Sequence, residues 1–331
     1  MTATEETSVS VTGPNLIATD ASEPSEWQKK IAGEWVSNPS LFDANGVWQA
    51  YENVARASEF ADGQTRYWMK TELEGAGSLR NRFELGANFD FGVIDSDENR
   101  VYTGPDFYGT GQPYGLFVDA HYYSPGWQVD LRTWNHVLPD METQVYSSVL
   151  HDGWTVCGVF NGVYKKYEDS TAPEVQADIA AWKQRERTLG PKPHVLPTKQ
   201  RGVFSGVFEV YDVDQSKRGD MKVTVQHDPL SLTRTRQSIT WEGALERSYT
   251  IERTRMSANT VYEGPDAWGN ARAYGRALFN SIHFGGNDVW KLKGREFLLD
   301  ETNTIAVTWE LFRGDSLTHV AYGVLDWEPS A

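Results

Sequence analysis

The chain has one cysteine, Cys157, and seven histidines in 331 residues. A lone cysteine excludes an intrachain disulfide and a thiolate metal cluster. It sits in the apolar run Val156–Phe160, the setting of an inert core thiol. No histidines stand at His-x-His or His-Glu-x-x-His spacing, so no preformed metal centre is expected. Basic residues are also short: 31 Lys and Arg against 46 Asp and Glu leave a net charge of −15. That balance argues against a nucleic-acid or anionic-membrane partner, because both need a basic surface. No apolar run approaches membrane-spanning length. Residues 1–24 are rich in Thr, Ser and Glu without an apolar core, and are expected to be a disordered tail on a cytoplasmic protein. A Gly-x-Gly-x-x-Gly before a helix, a phosphate loop and a Gly-x-Ser-x-Gly elbow are all missing, so no cofactor is expected.

Aromatic residues are plentiful, with 13 tryptophans among them, and the chain repeats itself. Val101–Gly115 and Val261–Gly275 share eight of fifteen residues at a constant spacing of 160 (Tyr102 to Tyr262, Tyr114 to Tyr274). A self-repeat of this kind fixes architecture before any local pattern does. On a strand, alternate side chains share a face, so Tyr102, Asp106 and Tyr108 lie together, as do Tyr262, Asp266 and Trp268. Each copy thereby sets a carboxylate between aromatic rings. Gly-Pro-Asp is also ordinary turn chemistry, and an Asp there can simply cap backbone N–H groups.

From Gly33 to Tyr167 the pattern is strand, turn, strand, and His151-Asp152-Gly153 between apolar runs marks a hairpin. Ser25–Ala32 reads as one or two helical turns capped by Ser25. Residues 171–188 carry Val175, Ile179 and Trp182 at helical spacing, and a Pro-rich linker from Leu189 to Pro197 follows. From Gly202 the β rhythm resumes. Trp127 matches Trp290 and Asp152 matches Asp315 at a spacing of 163, implying a three-residue insertion near Gly285–Asn287. Ile31–Trp35 is matched with Phe204–Phe208 at the start of each unit. The fold class expected is all-β: antiparallel barrel-like units at 25–168 and 201–331, joined by a helix and linker at 169–200.

Two tandem β units, each opened by Gly33-Glu34-Trp35 or Gly206-Val207-Phe208, resemble the double-calycin architecture, lipocalin-like barrels that hold a small apolar ligand. Bacterial carotenoid hydratases and cofactor-free cyclases of natural-product pathways share this tandem arrangement. The resemblance implies a lyase or isomerase without cofactor, acting on a small apolar, unsaturated molecule. A non-catalytic binder of the same ligand and a glycan-binding or glycan-cleaving β protein are the rival readings. The catalytic candidates are Asp106, Tyr108 and His121; the ligand-binding candidates are Tyr102, Tyr114, Asp119, Tyr123 and Trp127. Alternation puts Tyr114, Leu116, Val118, Ala120 and Tyr122 on the core face and turns His121 outward. In the opposite register His121 beside Asp119 would make an oriented general base.

Overall fold

The computed structural model describes residues 22–61, 63–83, 88–95, 100–104, 108–286 and 290–330. Most of the tail at 1–24, Asp106 and Asn287 therefore lie outside the described residues. The protein is two closed antiparallel β-barrels joined by a helix, a calycin-like double barrel built from a duplicated unit.

Among the described residues the first barrel has eleven strands, from Glu34–Ser37 to Thr155–Tyr167, in which consecutive strands pair from Ser40–Phe42 onward. Closure comes from Glu34–Ser37 and Ser40–Phe42, each of which pairs with both Trp48–Ala61 and Thr155–Tyr167. The second barrel has ten strands among the described residues, and Gly202–Asp212 closes it against Ser316–Pro329. The difference in number has a local cause. Gly202–Asp212 is unbroken, whereas its counterpart is split into Glu34–Ser37 and Ser40–Phe42 at Asn38-Pro39, and a proline cannot donate to a β ladder.

The strand register confirms the duplication and corrects three of the expected matches. Across Phe117–Ser124 and Val129–Val137, Phe117 faces His136; in the second barrel Ala277 faces Phe297. The spacing therefore steps from 160 to 161, and holds at 161 to the last strand (Gln144 with Tyr164, Ile305 with Leu325). Trp290 is the counterpart of Val129, so the matches of Trp127 with Trp290 and Asp152 with Asp315 fail, and the insertion is one residue. The two copies even share irregularities: the ladder shifts after Leu150 and after Leu311, and Gly153 and Gly314 turn the hairpins at φ 58° and 62°. At the start of the units, Trp35 faces Arg56 as Phe204 faces Val225. Gly33-Glu34-Trp35 thus corresponds to Gly202-Val203-Phe204, not to Gly206–Phe208.

Helix Glu26–Ile31 forms as its sequence predicts, with Ser25 Oγ accepting from Gln28 N at 3.1 Å, and it buries Trp27 and Ile31 under one end of the first barrel. Helix Gln176–Leu189 lies across both barrels. Ile179 packs with Val36 and Tyr167, while Trp182 joins Val145 and Val163 of the first barrel and Phe297 and Ala306 of the second. Its fully buried Glu186 accepts from Val163 N at 2.8 Å and pairs with the equally buried Arg276 of the second barrel.

The barrels also meet directly through two glycine turns. At Gly115 (φ 60°) a Cβ would overlap the hydroxyls of Tyr211 and Tyr322; at Gly275 (φ 57°) it would overlap Phe42 and the Gly190 carbonyl. Leu116 N donates to Tyr322 Oη at 2.8 Å, and Asn161 Nδ2 donates to Tyr274 O at 3.0 Å.

Candidate functional site

The interior of the first barrel holds a cavity of about 110 Å³, of the order that takes up a single benzene ring in an apolar protein core. Trp27, Tyr67, Phe91, Tyr102, Tyr122, Trp127, Tyr146 and Tyr164 supply aromatic walls. Strand Trp48–Ala61 turns Glu52, Val54 and Arg56 inward by simple alternation.

Glu52 is wholly buried, and burial pushes its carboxyl up to about 7, against the opposing effect of the Thr71 hydroxyl donating to Oε1 at 2.8 Å. Its backbone is pinned on both sides: Glu52 N donates to Pro39 O at 2.8 Å, and Asn38 Nδ2 donates to Glu52 O at 3.1 Å. Burial, reinforced by the Glu52 charge, holds the Tyr146 and Tyr164 phenols well above their usual range. The two rings meet edge to face at 5.5 Å. Arg56 donates to Gln144 Oε1 at 2.9 Å, Gln144 donates onward to Asn135, and the guanidinium lies over Trp35 (5.7 Å) and Tyr164 (5.3 Å). At the end capped by helix Glu26–Ile31, Arg100 donates to Tyr67 Oη at 3.0 Å, and Tyr67 donates to Gln28 Oε1 at 2.6 Å.

The second barrel shows why this space exists. The register sets Glu52 against Met221, Thr71 against Trp241 and Ser148 against Trp309. In the second barrel Trp241, Trp309 and Phe208 pack ring on ring, with Trp241–Trp309 at 5.1 Å and Phe208–Trp309 at 4.8 Å. Small and polar residues at the same places leave the first barrel hollow, while the corresponding space in the second is only about 50 Å³. That barrel instead buries an Arg253–Glu296 pair at 3.0 Å, with His194 of the linker 3.6 Å from Glu296.

Of the residues expected from sequence, Tyr102 and Trp127 line the cavity. Tyr108 is exposed on the outside, its ring 5.4 Å from that of Tyr123. Tyr114 and Asp119 lie at the seam between the barrels. Tyr114 packs with Tyr211 and Tyr322; Asp119 accepts from Trp134 Nε1 at 2.9 Å and from Arg132 Nη2 at 2.9 Å. Burial alone would raise the Asp119 carboxyl, but the neighbouring His121 and Arg132 hold it far below the usual range. His121 does stand beside Asp119, at 3.6 Å, on the outer face with its side chain 61% exposed. Val118 and Tyr122 take the inner face of that strand. Asp106 falls outside the described residues. Among these residues no group of three metal-binding side chains converges.

Glu52 and Arg56 escape a reading of the sequence because Glu52-x-Val54-x-Arg56 has the look of a solvent face. The signal that finds them is the second copy, where Met221 and Val225 stand in register with them. A position apolar in one copy and charged in the other marks a change of use.

A crystal structure of a protein of unknown function from the DUF3598 family of Nostoc punctiforme PCC 73102 aligns over 93% of this chain and 100% of its own, with a TM-score of 0.57 and 10% identity. The two share the double-barrel fold. A putative outer membrane protein from Bacteroides fragilis NCTC 9343 aligns over 91% of this chain and 98% of its own at 8% identity, but its TM-score of 0.21 supports no comparison. No protein-family model matches the chain, and no curated protein matches it by sequence.

Proposed function

We propose that the first barrel binds a small, mainly apolar, unsaturated molecule and that Glu52 moves protons to and from it. The observation that carries this reading is the wholly buried carboxyl set in an aromatic cavity that the second copy has filled with tryptophan. A carboxyl that ionises near neutrality serves as both acid and base at working pH. In the forward step Glu52 gives its proton to one carbon of a C=C bond, forming a C–H bond and leaving positive charge on the other carbon. The faces of Tyr146, Tyr164 and Trp127 stabilise that charge. Water then adds and returns a proton to the Glu52 carboxylate, which is hydration, or a different C–H proton returns, which is isomerisation. The sequence, which has no nucleotide, flavin or metal motif, agrees with chemistry of this kind.

Passive binding is the second reading. The observation that favours it is that burial holds the Tyr122, Tyr146 and Tyr164 phenols protonated, so they shuttle no protons beside Glu52. Incubation with 2-methyl-2-butene or styrene in D₂O separates the two. Deuterium entering the alkene with the wild-type protein, and at least a hundredfold more slowly with Glu52→Gln, is the expected result. Binding of both alkenes without exchange in either protein would leave a carrier and refute the acid–base role.

A further inference from the structure

Two arginines line the cavity without a part in the proton chemistry: Arg100 is bonded to Tyr67 at the capped end, and Arg56 lies on the wall. Its guanidinium has five N–H donors. Among the described residues it has one hydrogen bond, to the neutral amide of Gln144, and no carboxylate within ion-pair distance. Glu52 does not neutralise it: the two stand four residues apart on one strand, about 13 Å between Cα atoms, and Glu52 is bonded to Thr71 instead. The rings of Trp35 and Tyr164 hold the guanidinium plane in place. Gln144 is itself fixed by Asn135, so the fork is oriented before any ligand arrives. A planar, oriented guanidinium on an apolar cavity wall is suited to a bidentate carboxylate. The second barrel has Val225 at this place, beside Phe204, Ile305 and Leu325.

We propose that the ligand of the first barrel is a small unsaturated or aromatic monocarboxylic acid, its carboxylate held by Arg56 and its apolar body lying toward Glu52. This rests on the reading of the first barrel as the ligand site and adds the charged group that the ligand carries. The cavity limits the body to roughly one six-membered ring or a short branched chain. Near neutrality Glu52 is partly protonated, so it shares the space with an anion at reduced repulsion.

Benzoate and benzyl alcohol, nearly equal in size and different in charge, provide the test by calorimetric titration at neutral pH. The wild-type protein is expected to bind benzoate at least tenfold more tightly than benzyl alcohol. Arg56→Lys, which keeps the charge and loses the fork, retains part of that preference; Arg56→Gln loses it while melting as a folded protein. Thr71→Trp, which fills the cavity as Trp241 does in the second barrel, binds neither compound. Equal binding of the two compounds, or a preference that survives Arg56→Gln, would overturn the carboxylate assignment and leave the cavity as a ligand site. Failure of both to bind the wild type, or unchanged binding by Thr71→Trp, would overturn the site itself and the assignment with it.

Discussion

Replacing Glu52 with glutamine removes a charge and keeps the shape, and its effect on stability follows from the burial of that one carboxyl. In the unfolded chain the group ionises near 4.5; in the native barrel burial moves this to about 7. Between those values the native state holds a proton that the unfolded chain has already lost. Wild-type stability therefore declines as pH rises through that window and levels off above it, whereas the amide has nothing to titrate. The full difference is about 3 kcal/mol, from 1.36 kcal/mol per pH unit across the gap. Thr71 still donates to the amide oxygen, so the variant keeps the bond it has in the wild type. Glu310, also raised by burial, contributes equally to both proteins and cancels. Urea unfolding at a series of pH values is the assay. Glu52→Gln should match the wild type near pH 4 and exceed its stability by up to about 3 kcal/mol above pH 7. A difference that stays constant across this range would show that Glu52 is solvated in the native protein, and the acid–base reading would fall with it.

Thr71→Trp should cost about 1–3 kcal/mol, because the ring enters existing space but the hydroxyl bond to the buried Glu52 carboxyl is lost, while toluene binding followed by saturation-transfer NMR disappears. Glu186→Ala leaves Arg276 and the Val163 amide buried without their partner, and should lose about 3–5 kcal/mol in denaturant unfolding. Gly115→Ala and Gly153→Ala share a left-handed backbone, but a Cβ meets nothing within 4 Å at Gly153 and two tyrosine hydroxyls at Gly115. The first should therefore lower the unfolding free energy by about 1 kcal/mol more than the second, or beyond. Equal losses would show that the Gly115 turn is free of the second barrel.

The repeat at Val101–Gly115 made the fold legible, because it announces two units and its alternation separates barrel faces correctly through Val118, Ala120 and Tyr122. Helix Gln176–Leu189 was legible from the spacing of Val175, Ile179 and Trp182. The alignment of the units failed where chain length changes in turns: one residue before Val129, one between Ala61 and Gln64, and ten between Glu74 and Asn88, which left the match for Trp35 displaced by four positions. That slip hid the site, since Glu52 gains meaning only when set against Met221. The seam position of Asp119 and Tyr114, which the sequence offered as ligand-binding candidates, was hidden for another reason. A strand's outer face looks like a solvent face in sequence, and here part of it is covered by a second barrel.

The glycine turns at the seam also carry a relation between the two units. Gly115 and Gly275 are counterparts, and so, by the strand register, are Phe42 and Tyr211, and Asn161 and Tyr322. Gly115 of the first unit abuts Tyr211 of the second, while Gly275 of the second abuts Phe42 of the first. Likewise the chain beside Gly115 bonds Tyr322, and the chain beside Gly275 bonds Asn161. Each surface is thus used twice, once from either side, which is the arrangement of an isologous two-fold contact. It is the geometry of contact that two separate single-barrel chains would use in a homodimer. The two halves, produced as individual polypeptides, should pair on mixing and co-elute as a one-to-one complex; halves that stay apart would show that the tether, not the seam, holds them together.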